Sequence, residues 1–261
     1  MDPAVLYSQR DGVGVITLNR PDNRNSMTPE LLDAFATASA EARADTGARC
    51  VIVTGTGTCF SSGADFKATL QRADLGASEP HERSYAMYAP FLSLLDLEVP
   101  IIGALNGHTV GGGFGLSLIC DLRVGNIDAK YGANFTRLGL APGMAISYML
   151  PKIVGLSRAN EMLFTANLVD GRTAHAIGLL DRAVDKSDVM CVADELALRI
   201  ASNAPFAIRA TKAAIRRGLK LEIREAARLE AFSQAESIDT DDAREGIAAL
   251  LAKRDPQFTG R

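Results

Sequence analysis

The sequence is poor in the residues that build metal and thiol chemistry. It has no tryptophan, three histidines and four cysteines in 261 residues. The cysteines form no CxxC pair, and none stands at a short metal-type spacing from a histidine, which excludes the usual structural zinc sites. We therefore expect reduced cysteines that act as small core residues. They are Cys50, Cys59, Cys120 and Cys191.

Long apolar runs and long runs of one charge are also missing. No stretch approaches the roughly 18 consecutive apolar residues of a membrane-spanning helix, and the N-terminal residues lack the basic and apolar segments of a secretory signal. With 28 Lys+Arg against 31 Asp+Glu, the formal charge is −3 at pH 7. Without a basic tract there is little attraction to a phosphate backbone. We expect a soluble, cytoplasmic protein with neither nucleic acid nor membrane as a partner.

Several catalytic signatures are absent as well. The glycine-rich run 111–116 ends in Leu116, where a dinucleotide-binding fingerprint needs its last glycine. The sequence contains no phosphate-binding P-loop, no HExxH zinc motif and no GxSxG elbow. These absences argue against nucleotide hydrolysis, zinc proteolysis and serine esterase chemistry.

The sequence does contain the material of an ordinary globular fold. It is 47% hydrophobic and 23% charged, and a chain of this length buries a full core without a metal or disulfide. The first 20 residues tend to alternate apolar and polar positions around the turn signal Asp11-Gly12, which predicts a β-hairpin. Thr28 followed by Pro29 is a strong start signal for a helix.

Buried strands and helices then follow in turn. Apolar, β-branched runs at 50–54 and 100–105 predict strands buried on both faces. Between them, residues 82–96 predict a helix kinked at Pro90. This repetition is typical of an α/β fold. From about Ser187 helical spacing takes over, and the last 60 residues or so predict a helical appendage. The apolar stripes after Ser187 contain Val189, Val192, Ala193, Leu196 and Ile200, then Ile215, Leu219 and Ile223, then Phe232, and finally Ile247, Leu250 and Leu251.

Two glycine-flanked loops share one design. Residues 55–65 and 106–114 each follow a predicted buried strand and lead to the start of a predicted helix. The first N–H groups of a helix have no partner within it, and its dipole favours negative charge there. Two such amides aimed at one point would form an oxyanion hole. The alternative is that the glycines permit close helix packing, or form an ordinary turn before a helix.

Short motifs spaced along nearly the whole chain form a recognisable set. They are Ile16 to Pro21, Asn25 to Met27, Phe60 to Phe66, Asn106 to Gly113, Cys120 to Arg123, and, near the end, Arg244 to Ile247 with Lys253, Arg254 and Phe258. The set resembles the crotonase (enoyl-CoA hydratase/isomerase) superfamily. The resemblance implies a spiral of ββα units over residues 1–200, which binds the acyl-CoA, and a C-terminal helical trimerisation region over residues 201–261.

The resemblance also implies the partners and the site. The chain would form a homotrimer, or a hexamer as a dimer of trimers, and would act on acyl-CoA without a metal or other cofactor, coenzyme A being part of the substrate. The oxyanion amides would be those of Ala64 and Gly112. Lys253 and Phe258 would contact CoA from a neighbouring subunit. The residues along the acyl-CoA would be Arg24, Ser26, Ser62, Gly63, Asp65, Phe66, Gly115 and Phe135.

The departures from the family pattern bear on the reaction. Hydratases of this family carry glutamates at the positions that read Gly115 and Phe135 here, and some isomerases carry one at the position of Gly143. Neither glycine nor phenylalanine exchanges a proton. Hydration by two glutamates is therefore not expected, nor is isomerisation by either family arrangement.

Replacement proton-transfer groups must come from elsewhere. The candidates are His81, Glu82, Tyr85, Tyr88 and Arg137. The alternative interpretation of each residue is that its side chain lies in solvent or packs against a neighbour. Arg137 could bind a substrate carboxylate or pair with an acid at the surface.

Three functions remain in competition at this point. The first is an acyl-CoA enzyme that works through a stabilised enolate. The second is an acyl-CoA-binding protein without catalysis, and the third is another enolate reaction such as decarboxylation. They differ in whether one of the candidate side chains points into the acyl pocket.

Overall fold

The computed structural model describes residues 2–65 and 79–261. Strands β1 (Val5–Arg10) and β2 (Val13–Leu18) form the predicted antiparallel hairpin. Its turn residues Asp11 and Gly12 have φ angles of 53° and 79°. Positive φ at both central residues is the requirement of a type I′ turn, which matches the twist of the strands.

Helix α1 (Pro29–Ala44) begins where the sequence predicts. The Thr28 hydroxyl accepts a hydrogen bond from the Leu31 N–H at 3.3 Å, which satisfies one of the free donors of the first turn. Pro29 occupies the first helical position, where its missing N–H costs nothing. The helix buries Leu31 and Phe35 in the main hydrophobic core.

The remaining strands alternate between two sheets. They are β3 (Cys50–Gly55), β4 (Cys59–Ser61), β5 (Ile101–Leu105), β6 (His108–Val110), β7 (Leu122–Asn126), β8 (Lys130–Gly132), β9 (Val169–Asp170) and β10 (Arg182–Val184). The larger sheet has the order β1-β2-β3-β5-β7-β10 and the smaller one β4-β6-β8-β9. Each successive pair from β3 to β8 thus places its first strand in the larger sheet and its second in the smaller, so the chain winds as a spiral.

The described helices that follow are more numerous than the sequence predicts. They are α2 (Pro80–Leu92), α3 (Gly112–Ile119), α4 (Ile146–Val154), α5 (Leu156–Thr165), α6 (Gly171–Ala176), α7 (Val189–Ala201), α8 (Pro205–Ile215), α9 (Leu219–Ile238) and α10 (Asp241–Ala252). The helical character after Ser187 is confirmed, whereas α4 to α6 were not predicted. The helix predicted over 82–96 starts earlier and changes to a 3-10 helix at Ser93–Asp96, shortly after Pro90 removes one helical N–H.

Some helices pack on the larger sheet and others pack on neighbouring helices. Helix α7 packs on the larger sheet through small residues such as Ala193 and Ala197, which contact a cluster containing Ile52. Helix α9 packs against α2 and α4. Cys191 is exposed on α7, which corrects the expectation that all four cysteines are core residues; the other three are buried.

A half-buried ionic network ties α8 to the larger sheet. The Asp121 carboxylate binds Lys212 at 3.0 Å and Arg216 at 2.8 Å, and it accepts the Ile101 N–H at 2.8 Å.

No helix in the described ranges is both long enough and apolar enough to cross a bilayer.

Candidate active site

The smaller sheet brings three loops to one place. Strands β4 and β6 are parallel, with Ser61 opposite Thr109, and β6 is parallel to β8, with Val110 opposite Gly132. Parallel neighbours end at the same edge of a sheet. Residues 62–65, 111–112 and 133–135 therefore leave the sheet side by side.

The first two of these loops are in direct contact. A β-carbon placed on Gly63 would lie 2.9 Å from the Gly112 nitrogen and 2.9 Å from the Val110 oxygen, and Gly63 itself has φ +79°. A β-carbon on Gly112 would overlap the Met27 sulfur. At position 63 only glycine fits, because a side chain there would press on the backbone of the other loop and the φ angle is positive.

The N–H groups of Gly112 and Ala64 lie in different backbone surroundings. Gly112 is the first residue of α3, so its N–H has no partner within the helix and lies at the positive end of the helix dipole. On the other loop, Met27 pairs with Ala64 as a parallel bridge. The bridge uses the Gly63 carbonyl, which accepts the Met27 N–H at 2.9 Å, rather than the N–H of Ala64.

The predicted acyl-CoA residues that precede α1 lie beside Ser62. The Arg24 carbonyl accepts the Ser62 N–H at 3.0 Å, and the hydroxyls of Ser26 and Ser62 are 3.0 Å apart. Arg24 is exposed and Ser26 buried, while Ser62, Ala64 and Asp65 are half-buried. Phe66 lies outside the described residues.

Buried Asn25 holds this arrangement together, and the sequence analysis named it only as part of a motif, not as a site residue. Its amide donates to the carbonyls of Thr56, Cys59 and Phe60 at 3.0 to 3.1 Å. Its side-chain oxygen accepts the Arg20 N–H at 2.7 Å. A buried amide that satisfies several loop carbonyls at once fixes the loop without a regular strand.

The structure shows what surrounds Gly115, Gly143 and Phe135, the positions at which the family resemblance implies acids in hydratases and isomerases. A β-carbon on Gly115 would overlap the Met144 β-carbon and lie 3.3 Å from Ile146 Cγ1. A β-carbon on Gly143 would overlap the Tyr88 hydroxyl. Phe135 is 6% exposed and belongs to the main core. The site thus has no carboxyl group at these positions and no empty space for one beside the two glycines.

Helix α9 secures the segment that carries Met144. Both Met144 and Ala145 have positive φ, 64° and 57°, which is unusual for residues with a side chain. Glu230 Oε1 accepts the Ser147 N–H at 2.8 Å and its hydroxyl at 2.5 Å. Burial raises the pKa of Glu230 above its ordinary value, and within the described part of the chain its other oxygen has no hydrogen-bond partner.

Tyr88 is held from the same helix. Its hydroxyl donates to Gln234 Oε1, and Gln234 Nε2 donates in turn to the Ala141 carbonyl at 3.3 Å. Ser237 accepts the Ala141 N–H at 3.0 Å. Burial raises the pKa of Tyr88 far above its usual range, so the phenol stays protonated with its proton directed to Gln234.

The sequence analysis missed these three α9 side chains. Glu230, Gln234 and Ser237 stand four and three residues apart, a spacing that puts them on one face of a helix. Glu230 and Gln234 share the buried face with alanines such as Ala227 and Ala231. Polar residues at helical spacing on an apolar face were the available signal.

The other proton-transfer candidates have different surroundings. The His81 ring stacks on Phe232 with centroids 3.9 Å apart, and the Tyr85 ring lies under the Arg228 guanidinium at 5.4 Å. Glu82 is exposed.

Arg137 and the predicted neighbour contacts lie at the surface. Arg137 binds Asp255 at 2.5 Å with both side chains exposed, which is the surface pairing rather than the substrate carboxylate. Lys253 ends α10 and Phe258 is 44% exposed. Within residues 2–65 and 79–261 no three His, Cys, Asp or Glu side chains are grouped as a metal site would need.

Comparison with known proteins agrees with the fold. The family described as Enoyl-CoA hydratase/isomerase matches residues 8–261, and the chain belongs to this family of enzymes. It is 35% identical to the putative enoyl-CoA hydratase/isomerase YngF of Bacillus subtilis over 100% of both chains. The crystal structure of an enoyl-CoA hydratase/isomerase from Pseudoalteromonas atlantica superposes with a TM-score of 0.88 at 28% identity, covering 98% of this chain and 100% of that one.

A second solved structure carries a different activity in its description. It is a variant of the ECH2 decarboxylase domain of CurF from Lyngbya majuscula, with a TM-score of 0.83 and 25% identity over 95% of this chain and 100% of that one. The mixed α/β fold with C-terminal helices is thus the crotonase fold that the sequence resemblance implies.

Proposed function

We propose that this protein converts acyl-CoA thioesters through an enolate whose oxygen is stabilised by the amide N–H groups of Ala64 and Gly112. The observation that supports the proposal is the contact between Gly63 and Gly112, where a β-carbon on Gly63 would lie 2.9 Å from the Gly112 nitrogen. Fixed backbone dipoles at such a point stabilise charge that develops on the thioester oxygen, and losing one such donor typically costs about 2.7–4 kcal/mol of activation free energy.

The reaction proceeds without the two glutamates of a hydratase. Water addition needs one group to activate the nucleophile and one to deliver a proton to the α-carbon. Gly115 and Phe135 supply neither, so hydration of a 2-enoyl-CoA is slow. Binding does not depend on those side chains, because the stabilising donors belong to the backbone.

His81 is the proton-transfer residue that we propose to test first. It is half-buried and its ring stacks on Phe232, and an imidazole ring has two nitrogens that can donate and accept a hydrogen bond. Tyr88 is less suited, because its proton is already donated to Gln234. Arg137 is engaged by Asp255 at the surface. Glu82 is exposed next to His81 on the same helix, so Glu82→Gln is the matched control for His81→Gln.

Decarboxylation is the second candidate reaction. It is favoured by the missing carboxyl groups at positions 115, 135 and 143 together with the likeness to a decarboxylase domain. Loss of CO2 from a carboxyl on the α-carbon leaves the bonding electron pair in the thioester enolate, and one proton then goes to the α-carbon. Such a reaction needs the oxyanion donors and one acid but no base to activate water.

A panel of thioesters tests both reactions. Purified protein is incubated with crotonyl-CoA, a β-keto acyl-CoA and malonyl- and methylmalonyl-CoA, while product formation and CO2 release are measured and binding of each thioester is titrated by calorimetry. Turnover of any of them supports enolate chemistry, and the preferred thioester decides between the candidates. Tight binding without turnover would show an acyl-CoA-binding protein instead. No binding at millimolar concentration would overturn the site.

For the assembly we propose a homotrimer, or a hexamer made of two trimers, formed through the C-terminal helices. Large apolar side chains on these helices are exposed within one chain, as expected of a surface that another copy covers. They are Phe206, Ile215, Leu221, Leu229, Phe232, Leu250 and Leu251. Lys253 and Phe258, both exposed, would then reach the CoA bound by a neighbouring subunit.

A further inference from the structure

Two side chains fill the space beside the glycines that have lost the family's acids. Met144 lies against Gly115, with its Cγ 3.0 Å from the place of a Gly115 β-carbon. Tyr88 lies against Gly143, the residue just before Met144. Tyr88 is 2% exposed and Met144 is fully buried. The two side chains thus fill the space beside Gly115 and Gly143, and together we call them the wall.

The wall is held rigidly from behind. Gln234 binds both the Tyr88 hydroxyl and the Ala141 carbonyl, and Glu230 binds Ser147 on the other side of Met144. A buried hydrogen-bonded network of this kind resists displacement, because each broken bond leaves a buried polar group unsatisfied. An acyl chain cannot push the wall aside at low cost.

The wall stands close to the proposed oxyanion donor. Gly115 follows Gly112 by three residues on α3, which is about 4.5 Å along a helix axis. An acyl chain whose thioester oxygen sits at the Gly112 N–H and which runs along α3 therefore meets Met144 after a few carbons.

We propose that Tyr88 and Met144 close the acyl pocket and restrict this protein to short-chain acyl-CoA. The inference rests on the proposed function, since it assumes a thioester oxygen at the Ala64 and Gly112 amides. Tyr88 and Met144 then set the chain length, and the α9 residues Gln234 and Glu230 act as their positioning residues.

Saturated acyl-CoA probes test the depth of the pocket. Butanoyl-, hexanoyl-, octanoyl- and decanoyl-CoA are titrated by calorimetry against wild-type protein and Tyr88→Leu. Each methylene that enters an apolar pocket tightens binding about fourfold. In the wild type this gain should stop at a short chain length, which we call the break in the series. In Tyr88→Leu the gain should continue for about two more carbons, so that octanoyl-CoA binds about 16-fold more tightly than to the wild type.

Three further variants make the result interpretable. Tyr88→Phe keeps the ring and should keep the wild-type break in the series. Tyr7→Leu removes another hydrogen-bonded tyrosine, whose partner is Asp45 at 2.8 Å, far along the chain from the wall, and should also leave the break in place. Met144→Ala should move the break to a chain about one carbon longer. If circular dichroism shows that Tyr88→Leu does not fold, Met144→Ala is used for the test instead.

The failures are distinguishable. A wild-type protein that binds the short probes, with a break that does not move in folded Tyr88→Leu or Met144→Ala, would overturn the wall as the determinant of chain length. Absence of binding for every probe by folded wild-type protein would overturn the proposed function, and the wall with it.

Discussion

At the residue scale, Gly63 combines two demands that can be separated experimentally. It has a positive φ and it touches the other loop, whereas Gly178 has the same φ of +79° and a β-carbon there would lie 3.8 Å from the Ile153 oxygen, an ordinary contact. We expect Gly63→Ala to lower the free energy of unfolding by about 1–3 kcal/mol more than Gly178→Ala, because its β-carbon must displace backbone.

The affinity for acyl-CoA should also fall more in Gly63→Ala than in Gly178→Ala. Gly63→Ala should weaken butanoyl-CoA at least tenfold in calorimetry, and Gly178→Ala should leave the affinity near wild type. Urea unfolding of both variants gives the stability comparison. Equal losses of stability and affinity in the two variants would mean that position 63 requires glycine because of its positive φ angle and not because of the contact with Gly112.

Restoring a hydratase glutamate at Gly115 should fail as a single change. The new β-carbon would overlap Met144, so we expect Gly115→Glu to destabilise the fold by about 1–3 kcal/mol through overpacking. The double variant with Met144→Ala should recover part of that loss. A double-mutant cycle in thermal unfolding measures this coupling, and crotonyl-CoA hydration measures any gain of activity. Additive effects would show that the two residues do not compete for the same space.

Glu230 predicts a dependence of stability on pH. Burial raises its pKa above the ordinary 4.5, so between 4.5 and the raised value the folded protein holds more protons than the unfolded chain. The contribution of this group to stability therefore falls as pH rises through that window. Glu230→Gln removes the titration and keeps an acceptor for Ser147. The stability of the variant relative to wild type should increase with pH from about 4.5 and then level off.

Glu245 supplies a control of opposite sign. Its hydrogen bond with Arg254 lowers its pKa to about 2, so its stabilising contribution is present above 4.5 and is lost as pH falls towards 2. Glu245→Gln should therefore lose stability relative to wild type at neutral pH, with the difference shrinking in acid. The effect is small because the pair is near the surface. Parallel pH trends for the two variants would contradict the burial of Glu230.

At the element scale, helix α9 and the segment 141–147 depend on each other. If Gln234 is replaced by Leu, the Tyr88 hydroxyl loses its acceptor in the interior, which costs about 1–3 kcal/mol. Tyr88→Phe in the same protein removes the stranded donor, so the double variant should be more stable than the sum of the single changes predicts. Chemical denaturation of the four proteins tests this. A cycle that sums to zero would mean that the two side chains do not interact.

Elements with strong local signals were predictable from the sequence. The hairpin follows from Asp11-Gly12 and the start of α1 from Thr28 and Pro29, because turn and capping chemistry act over a few residues. Strands β4, β6 and β8 have three residues each, too few to show a period. Their pairing, which brings Gly63 to Gly112, depends on long-range contacts that no short pattern contains.

The candidate site was predictable in part. The motifs pointed to the loops around Ala64 and Gly112, which the structure brings into contact at Gly63 and Gly112, while the role of the two amides as oxyanion donors stays a prediction. The glycine at position 115 is visible in the sequence. The sequence does not show that Met144 and Tyr88 fill the space beside Gly115 and Gly143. That arrangement depends on the positive φ angles of Met144 and Ala145 and on side chains from α9. The sequence analysis assigned no secondary structure to residues 141–186, so it missed helices α4 to α6.

At the scale of the whole molecule, the exposed apolar residues of the C-terminal helices predict association. Sedimentation should show a trimer or a multiple of three. Leu251→Glu should shift it towards smaller species, because the charge would be buried at the interface. Leu6 is 41% exposed and Leu251 46%, so Leu6→Glu on strand β1 is the matched control and should leave the assembly intact. A wild-type monomer at micromolar concentration would contradict the proposed assembly.

The dependence of the pocket wall on α9 also has a consequence for biosynthesis. The chain leaves the ribosome from its N-terminus, and domains form as the necessary segments emerge. Tyr88 and the segment 141–147 are made long before Glu230, Gln234 and Ser237. The proposed wall is thus among the last features to be completed, because a nascent or truncated chain without α9 lacks the side chains that hold Tyr88 and the segment 141–147 in place.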